Sequence, residues 1–147
     1  MVRSLLRLEE YAHDFKVKKK DVVFDGIVNW LNREGGEIEN SVKPTQITAF
    51  HGSRKTVSIW KRNARKKLIF NLTDIPDGTH VHVEVGMGSM MYFDDVEMME
   101  EQRHVNYGLL MEEIWASVDG VPFTYPGKDE ETEPSGTEKK SKWKLFK

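Results

Sequence analysis

The chain has 147 residues, of which 38% are hydrophobic, 31% are charged and none is cysteine, and its formal net charge is −2. This length fits one domain, and the lack of cysteine excludes disulfides, thiolate metal sites and a cysteine nucleophile. The small net charge does not indicate a nucleic-acid binder. Arg3 and Arg7 interrupt the N-terminal apolar run, and no run approaches the ~20 apolar residues of a spanning helix, so we expect a cytoplasmic protein.

The N-terminal quarter predicts a short helix, a strand and a second helix. Residues 4–11 fit a short helix, and residues 14–17 alternate as in a half-buried strand. Asp21 is a candidate N-cap for the second helix. Gly35-Gly36 ends that helix, because glycine takes the left-handed conformation that a helix C-terminus needs. The apolar residues of this second helix recur at helical spacing: Val23, Phe24, Ile27, Val28, Trp30 and Leu31.

After these glycines the apolar period changes to two, which is typical of strands. Residues 38–49 fit one strand that is interrupted at Pro44, as at an edge or a bend. Residues 56–60 and 67–72 fit two further strands. Residues 75–78, with proline and glycine at turn positions, predict a tight turn. The clearest alternation follows this turn, at Val81, Val83 and Val85.

The last predicted element is a long helix. Asp94 or Asp95 can cap it, and it continues to about Val118. Asp119-Gly120 and Pro122 end it. Its buried stripe has helical spacing and consists of Tyr107, Leu110, Met111, Ile114, Trp115 and Val118.

The composition changes at the C-terminus. Residues 126–147 are rich in Gly, Pro, Ser and charged residues without an apolar period, which predicts a disordered charged tail. Residues 1–125 then form a single α+β domain. We predict an antiparallel sheet of about five strands packed against a long C-terminal helix and a shorter N-terminal helix, in the order strand, helix, four strands, helix.

This order, with Gly35-Gly36 after the first helix and the Trp115 stripe in the last, resembles a small helix-grip fold, the class of the Bet v 1 and START-like domains. The resemblance covers about residues 12–120 and rests on topology, with five predicted strands where a full member has seven. It implies an apolar ligand cavity between sheet and helix, or a partner-binding surface without a cavity. A TATA-binding-protein-like half-saddle shares much of the same order.

The first functional hypothesis is a non-enzymatic binding module. In it, a hydrophobic ligand or a segment of a protein partner lies in an apolar groove between the sheet and the last helix. No cofactor is expected. The predicted lining consists of large apolar side chains: Trp30, Phe70, Met90, Met91, Tyr107, Met111 and Trp115.

The alternative hypothesis is a nucleic-acid-associated protein. Residues 54–67 hold seven lysines and arginines, with an aromatic residue among these cations. Such a patch can hold phosphates while the ring stacks on a base. The plainer interpretation is that these charges are solvated and protect strand ends. The candidate residues are Trp60, Lys61, Arg62, Arg65, Lys66 and Lys67.

Three further patterns have plain explanations. His80 and His82 lie two apart and could bind a metal, but we favour a solvent-facing polar row and predict no metal site. The acidic residues 94–101 complement a helix dipole, and no histidine or nucleophile stands beside them in the sequence, so an enzyme is not supported. The basic, aromatic residues 142–147 resemble the opening of a cecropin-type membrane peptide, but six residues bind membranes only marginally and we expect no membrane contact.

Overall fold

In the part of the chain that the structure describes, the elements follow in the order strand, helix, four strands and helix. A computed structural model describes residues 7–53, 55, 61–87 and 100–124. Its elements confirm the predicted α+β class, with an antiparallel sheet and a long C-terminal helix. Their bounds are β1 (Arg7–Lys16), α1 (Lys20–Arg33), β2 (Glu37–Val42), β3 (Gln46–His51), β4 (Lys66–Ile75), β5 (Gly78–Met87) and α2 (Glu100–Asp119).

The five strands form one sheet in the order β1-β5-β4-β3-β2, and every neighbouring pair is antiparallel. Strands β1 and β2 therefore lie at opposite edges, although only α1 separates them in the chain. Helix α1 joins these edges and packs on β2, β3, β4 and β5, while α2 packs on β1 and on α1. Both helices thus cover the same face of the sheet, which we call the inner face.

The core lies between this inner face and the helices. Alternate residues of β3, β4 and β5 are buried, as the period of two predicted. The inner apolar positions include Ala49, Leu68, Phe70 and Val83, each fully buried. The predicted stripe of α2 packs on them, with Val118 only partly buried. Burial between two layers gives the sheet its fixed register, because a one-residue slip would turn every inner side chain outward.

The prediction of a helix over residues 4–11 is wrong for residues 7–11, which belong to β1. Leu8 and Tyr11 both pack against the core, three residues apart. Their spacing arises because the pairing of β1 with β5 shifts between Arg7 and Glu9, as at a β-bulge. The bulge inserts one extra residue into the strand alternation. Leu8 and Tyr11 are therefore three residues apart, which is also a spacing found on one face of a helix. Residues 4–6 lie outside the described residues.

Two further boundaries differ from the prediction. Lys19, not Asp21, is the N-cap residue of α1, and Asp21 lies in the first turn, where its negative charge favours the helix dipole. Residues 38–49 form two strands, β2 and β3, because the chain reverses at Lys43-Pro44 and the two strands pair. Gly35, with φ +76°, follows α1 as predicted.

Several predictions fall on parts of the chain that the structure does not describe. These are the strand at residues 56–60, the cap at Asp94 or Asp95, and the tail at residues 126–147. Within the described residues, neither helix combines the length and the apolar character that a membrane crossing requires.

Candidate functional site

The inner row of β4 begins with a charged residue. Lys66 precedes Leu68, Phe70 and Leu72 at the alternation of two, and like them it faces the helices. Its side chain is fully buried, with 0% of its surface exposed. An ammonium group in such a place costs several kcal/mol unless other groups compensate its lost hydration. The neighbours of Lys66 therefore decide its chemistry.

Lys66 is the first member of a chain of three ionisable groups. Its Nζ lies 3.0 Å from Nδ1 of His51, at the end of β3, and 2.8 Å from the carbonyl oxygen of Arg62. Nε2 of His51 lies 2.9 Å from Oε1 of Glu34, just after α1. Because Glu34 only accepts, we assign the imidazole proton to Nε2, and Nδ1 then accepts from Lys66. We call Lys66, His51 and Glu34 the lysine relay.

Burial shifts the pKa values of the relay. Desolvation, together with the nearby charge of Arg62, lowers the pKa of Lys66 to about 7, although the charge of Glu34 acts in the opposite direction. Desolvation and the charge of Lys66 lower the pKa of His51 to about 4. Burial alone would raise the pKa of Glu34, but the hydrogen bond from His51 and the charge of Arg62 outweigh it and lower that pKa. At neutral pH the imidazole is therefore uncharged, and Lys66 gives up its proton far more readily than an exposed lysine does.

Aromatic rings enclose the relay. The indole of Trp30 stacks on the His51 imidazole, with centroids 5.1 Å apart and an interplanar angle of 19°. Nζ of Lys66 lies 5.3 Å from the centroid of the Tyr107 ring on α2. Both rings belong to fully buried residues. They hold the relay in a place of low polarity, which is the cause of the lowered pKa of Lys66.

A rim of ion pairs lies around the relay. A terminal guanidinium nitrogen of Arg62 lies 3.0 Å from Oε1 of Glu34, and 2.8 Å and 3.0 Å from the two carboxylate oxygens of Glu113. Nε1 of Trp30 donates to Glu113 at 3.1 Å. The side chains of Arg62 and Glu113 are 32% and 19% exposed. These contacts tie α1, α2 and the turn before β4 together at one end of the core.

The structure brings the predicted apolar residues into one cluster. Trp30, Phe70, Tyr107, Met111 and Trp115 are all buried in the core between the sheet and the helices. Trp30 and Tyr107 contact the relay, whereas Trp115 packs on Phe15 of β1, with ring centroids 5.7 Å apart. Met90 and Met91 lie outside the described residues. That these residues line a ligand cavity stays a prediction.

The predicted basic patch does not form one exposed surface. Arg62 pairs with Glu34 and Glu113, and Lys66 points into the core. Arg65 is 5% exposed and lies 2.8 Å from Glu37, and Lys67 lies 3.5 Å from Glu39. Lys61 is exposed, and Trp60 lies outside the described residues. Carboxylates from other elements thus pair with three of the five candidate cations, Arg62, Arg65 and Lys67.

His51, Glu34 and Glu113 were not predicted as site residues. One signal in the sequence pointed to the site, namely Lys66 in phase with Leu68, Phe70 and Leu72 of β4. A lysine on the inner period of a strand must find partners inside the fold. The partners themselves come from β3, α1 and α2, and no local pattern marks them.

Two other features lie away from the relay. His80 and His82 face the uncovered side of the sheet beside Asp14 and Glu10 of β1, and no group of three or more possible metal ligands occurs among the residues described. A groove of about 560 Å³ lies at the opposite end of the sheet, beside the start of α1. Two of its lysines, Lys18 and Lys20, pair with Asp119 and Asp74. The groove has no buried ionisable group among its lining residues, so we place the site at the relay.

No protein-family model matches the sequence, and no curated protein matches it. The structure is similar to the crystal structure of CalU16 from Micromonospora echinospora, with a TM-score of 0.52 over 88% of this chain and 89% of that chain. The two sequences are 16% identical. At this identity the likeness shows a shared fold, and it carries no activity or ligand from one protein to the other.

Proposed function

We propose that this protein is a non-enzymatic binding module, which holds a small apolar molecule with one polar end group between the sheet and α2. The observation that carries the proposal is the fully buried Lys66 at the end of an apolar inner face. Ligand sites combine mostly apolar walls with a few placed polar groups. Lys66 supplies such a group, and its lowered pKa is typical of functional sites.

The inner face gives the site a direction. On the inner face of β4, Phe70, Leu68 and Lys66 lie in this order toward the start of the strand. Val83 and Val85 of β5 pair with Phe70 and Leu68. An apolar chain laid along these residues would place its polar end at Nζ of Lys66. The predicted lining residues Tyr107 and Met111 of α2 belong to the same core cluster as these strand residues. The resemblance to the helix-grip class implies the same location for a ligand.

Lys66 is poorly explained as a packing residue. Methionine has similar length and would fill the same space without the loss of ammonium hydration. A lysine at this position lowers stability, and His51 and Glu34 are arranged to orient its amine. A group that is held in place at this cost is better explained by a bound molecule that uses it.

A titration with the apolar anionic dye 1-anilinonaphthalene-8-sulfonate tests the proposal. We expect saturable binding to the folded chain and displacement of the dye by decanol. Lys66→Met should weaken displacement by decanol about tenfold, which corresponds to about 1.4 kcal/mol for the lost polar contact. Lys67→Met is the matched control, because Lys67 is the next residue and faces the other side of the sheet. Equal effects of the two substitutions, or no displacement at all, would contradict the proposal.

The nucleic-acid hypothesis leads to a separate expected result. We expect short single-stranded RNA and DNA to bind only weakly, because Arg62, Arg65 and Lys67 already face carboxylates. The measurement is fluorescence anisotropy at two salt concentrations, with Lys61→Ala as the variant that removes an exposed cation. Micromolar binding that collapses at high salt and is lost in Lys61→Ala would favour the nucleic-acid function instead.

A further inference from the structure

We infer that Lys66 is a carbonyl-reactive lysine, and that the ligand of the proposed site is an apolar aldehyde or ketone held as an imine on its Nζ. The inference deepens the proposed function and rests on it. It names the chemical class of the polar end group, and it assigns His51 and Glu34 a role in proton transfer beyond the orientation of Lys66.

The geometry around Nζ is that of an amine beside an aligned base. Nδ1 of His51 lies 3.0 Å from Nζ and is an acceptor, because the proton of the imidazole points to Glu34. A nucleophilic amine must be neutral, and a base within hydrogen-bond distance can take the proton that the nitrogen gives up once the C–N bond has formed. Glu34, 2.9 Å from Nε2, stabilises the imidazolium that this transfer produces. The low polarity around Lys66 favours the neutral amine further.

The reaction balances with the groups that are present. The nitrogen lone pair of Lys66 attacks the carbonyl carbon, a C–N bond forms, and the C=O electron pair moves to oxygen. His51 accepts a proton from nitrogen and returns it to that oxygen, which gives a carbinolamine. A second proton, passed in the same way, lets the hydroxyl leave as water while the C=N bond forms. One water molecule is released, and no oxidant or reductant takes part.

The charges around the relay favour a carbonyl compound over a carboxylate. Arg62 already contacts two carboxylates, Glu34 and Glu113. A bound carboxylate would place a third anion beside them in a poorly hydrated place, at an electrostatic cost. An aldehyde brings no charge, and its imine can form from the neutral amine. The surrounding rings of Trp30 and Tyr107 suit the apolar part of such a ligand.

Reductive trapping tests the inference. The full chain is incubated with a limiting amount of decanal and sodium cyanoborohydride at neutral pH, and the alkylated peptides are identified by mass spectrometry. We expect Lys66 to carry at least ten times more label than its neighbour Lys67. Lys66→Met should remove the preferred label. His51→Gln, with Lys66 intact, should slow labelling at Lys66 at least tenfold and leave labelling at Lys67 unchanged; circular dichroism checks that both variants fold.

The dye titration separates the two ideas. Displacement of the dye by decanol and by decanal, with preferred label at Lys66, supports both the binding site and the imine. Displacement by decanol with no preference for Lys66 over Lys67 would overturn the imine and leave the binding module standing. Absence of displacement by either compound would overturn both. A labelling rate at Lys66 that is the same in His51→Gln and in the wild-type chain would overturn the role of the relay.

Discussion

The free energy of unfolding of this protein should rise as the pH is raised from about 7 to about 9.5. The pKa of Lys66 is about 7 in the folded chain, against an ordinary value of 10.5 that we take for the unfolded chain. Between these values the unfolded chain binds a proton that the folded chain does not, so stability increases with pH. At 1.36 kcal/mol per unit, the expected rise is about 3 kcal/mol over this interval.

Urea unfolding at several pH values measures this rise, and Lys66→Met is the variant that should lack it. Lys67→Met keeps the buried lysine and should keep the slope. Well below pH 7, Lys66 is protonated in both states and contributes no slope. The comparison stops near pH 9.5, because burial and Glu9 raise the pKa of Tyr11, whose titration acts in the opposite direction at higher pH. A wild-type curve as flat as that of Lys66→Met would mean that Lys66 titrates normally and is hydrated.

The spacing of apolar residues along the sequence was sufficient to predict the α+β architecture. The alternation of Val81, Val83 and Val85 and the stripe of α2 follow directly from burial on one side, so the sheet and the long helix could be predicted. The errors lie where a local irregularity changes the period. The bulge near Leu8 imitated a helix, and the reversal at Pro44 divided what looked like one strand. Such irregularities depend on pairing with a distant strand.

The candidate site also has one part that could be predicted from the sequence and one part that could not. Trp30, Phe70, Tyr107, Met111 and Trp115 could be predicted to come together, because each occupies an apolar position of its own helix or strand. The lysine relay could not, because its contacts join residues that are far apart in the chain. Lys66 and His51 are separated by 15 positions and His51 and Glu34 by 17. Clustering of charge along the chain does not by itself show which of those charges are exposed.

Loss of the Glu113 carboxylate should destabilise the fold by about 3 kcal/mol. Glu113→Ala removes both hydrogen bonds to Arg62 and the acceptor of Trp30 Nε1. Breaking a buried ion pair costs 3–5 kcal/mol, and the partial exposure of Arg62 and Glu113 reduces that cost to roughly 2 kcal/mol. The buried indole N–H, deprived of this acceptor, adds about 1 kcal/mol.

The matched control is Glu112→Ala, because Glu112 is the next residue of α2 and its side chain is exposed. It removes the same charge from the same helix and should change the free energy of unfolding by less than about 0.5 kcal/mol. Urea unfolding at neutral pH measures both variants. If the two substitutions have the same small effect, the rim of ion pairs does not stabilise the packing of α1 on α2. The fixed positions of the relay side chains would then depend on other contacts. A large loss in Glu113→Ala alone means that the rim keeps α1, α2 and the turn before β4 closed around Lys66.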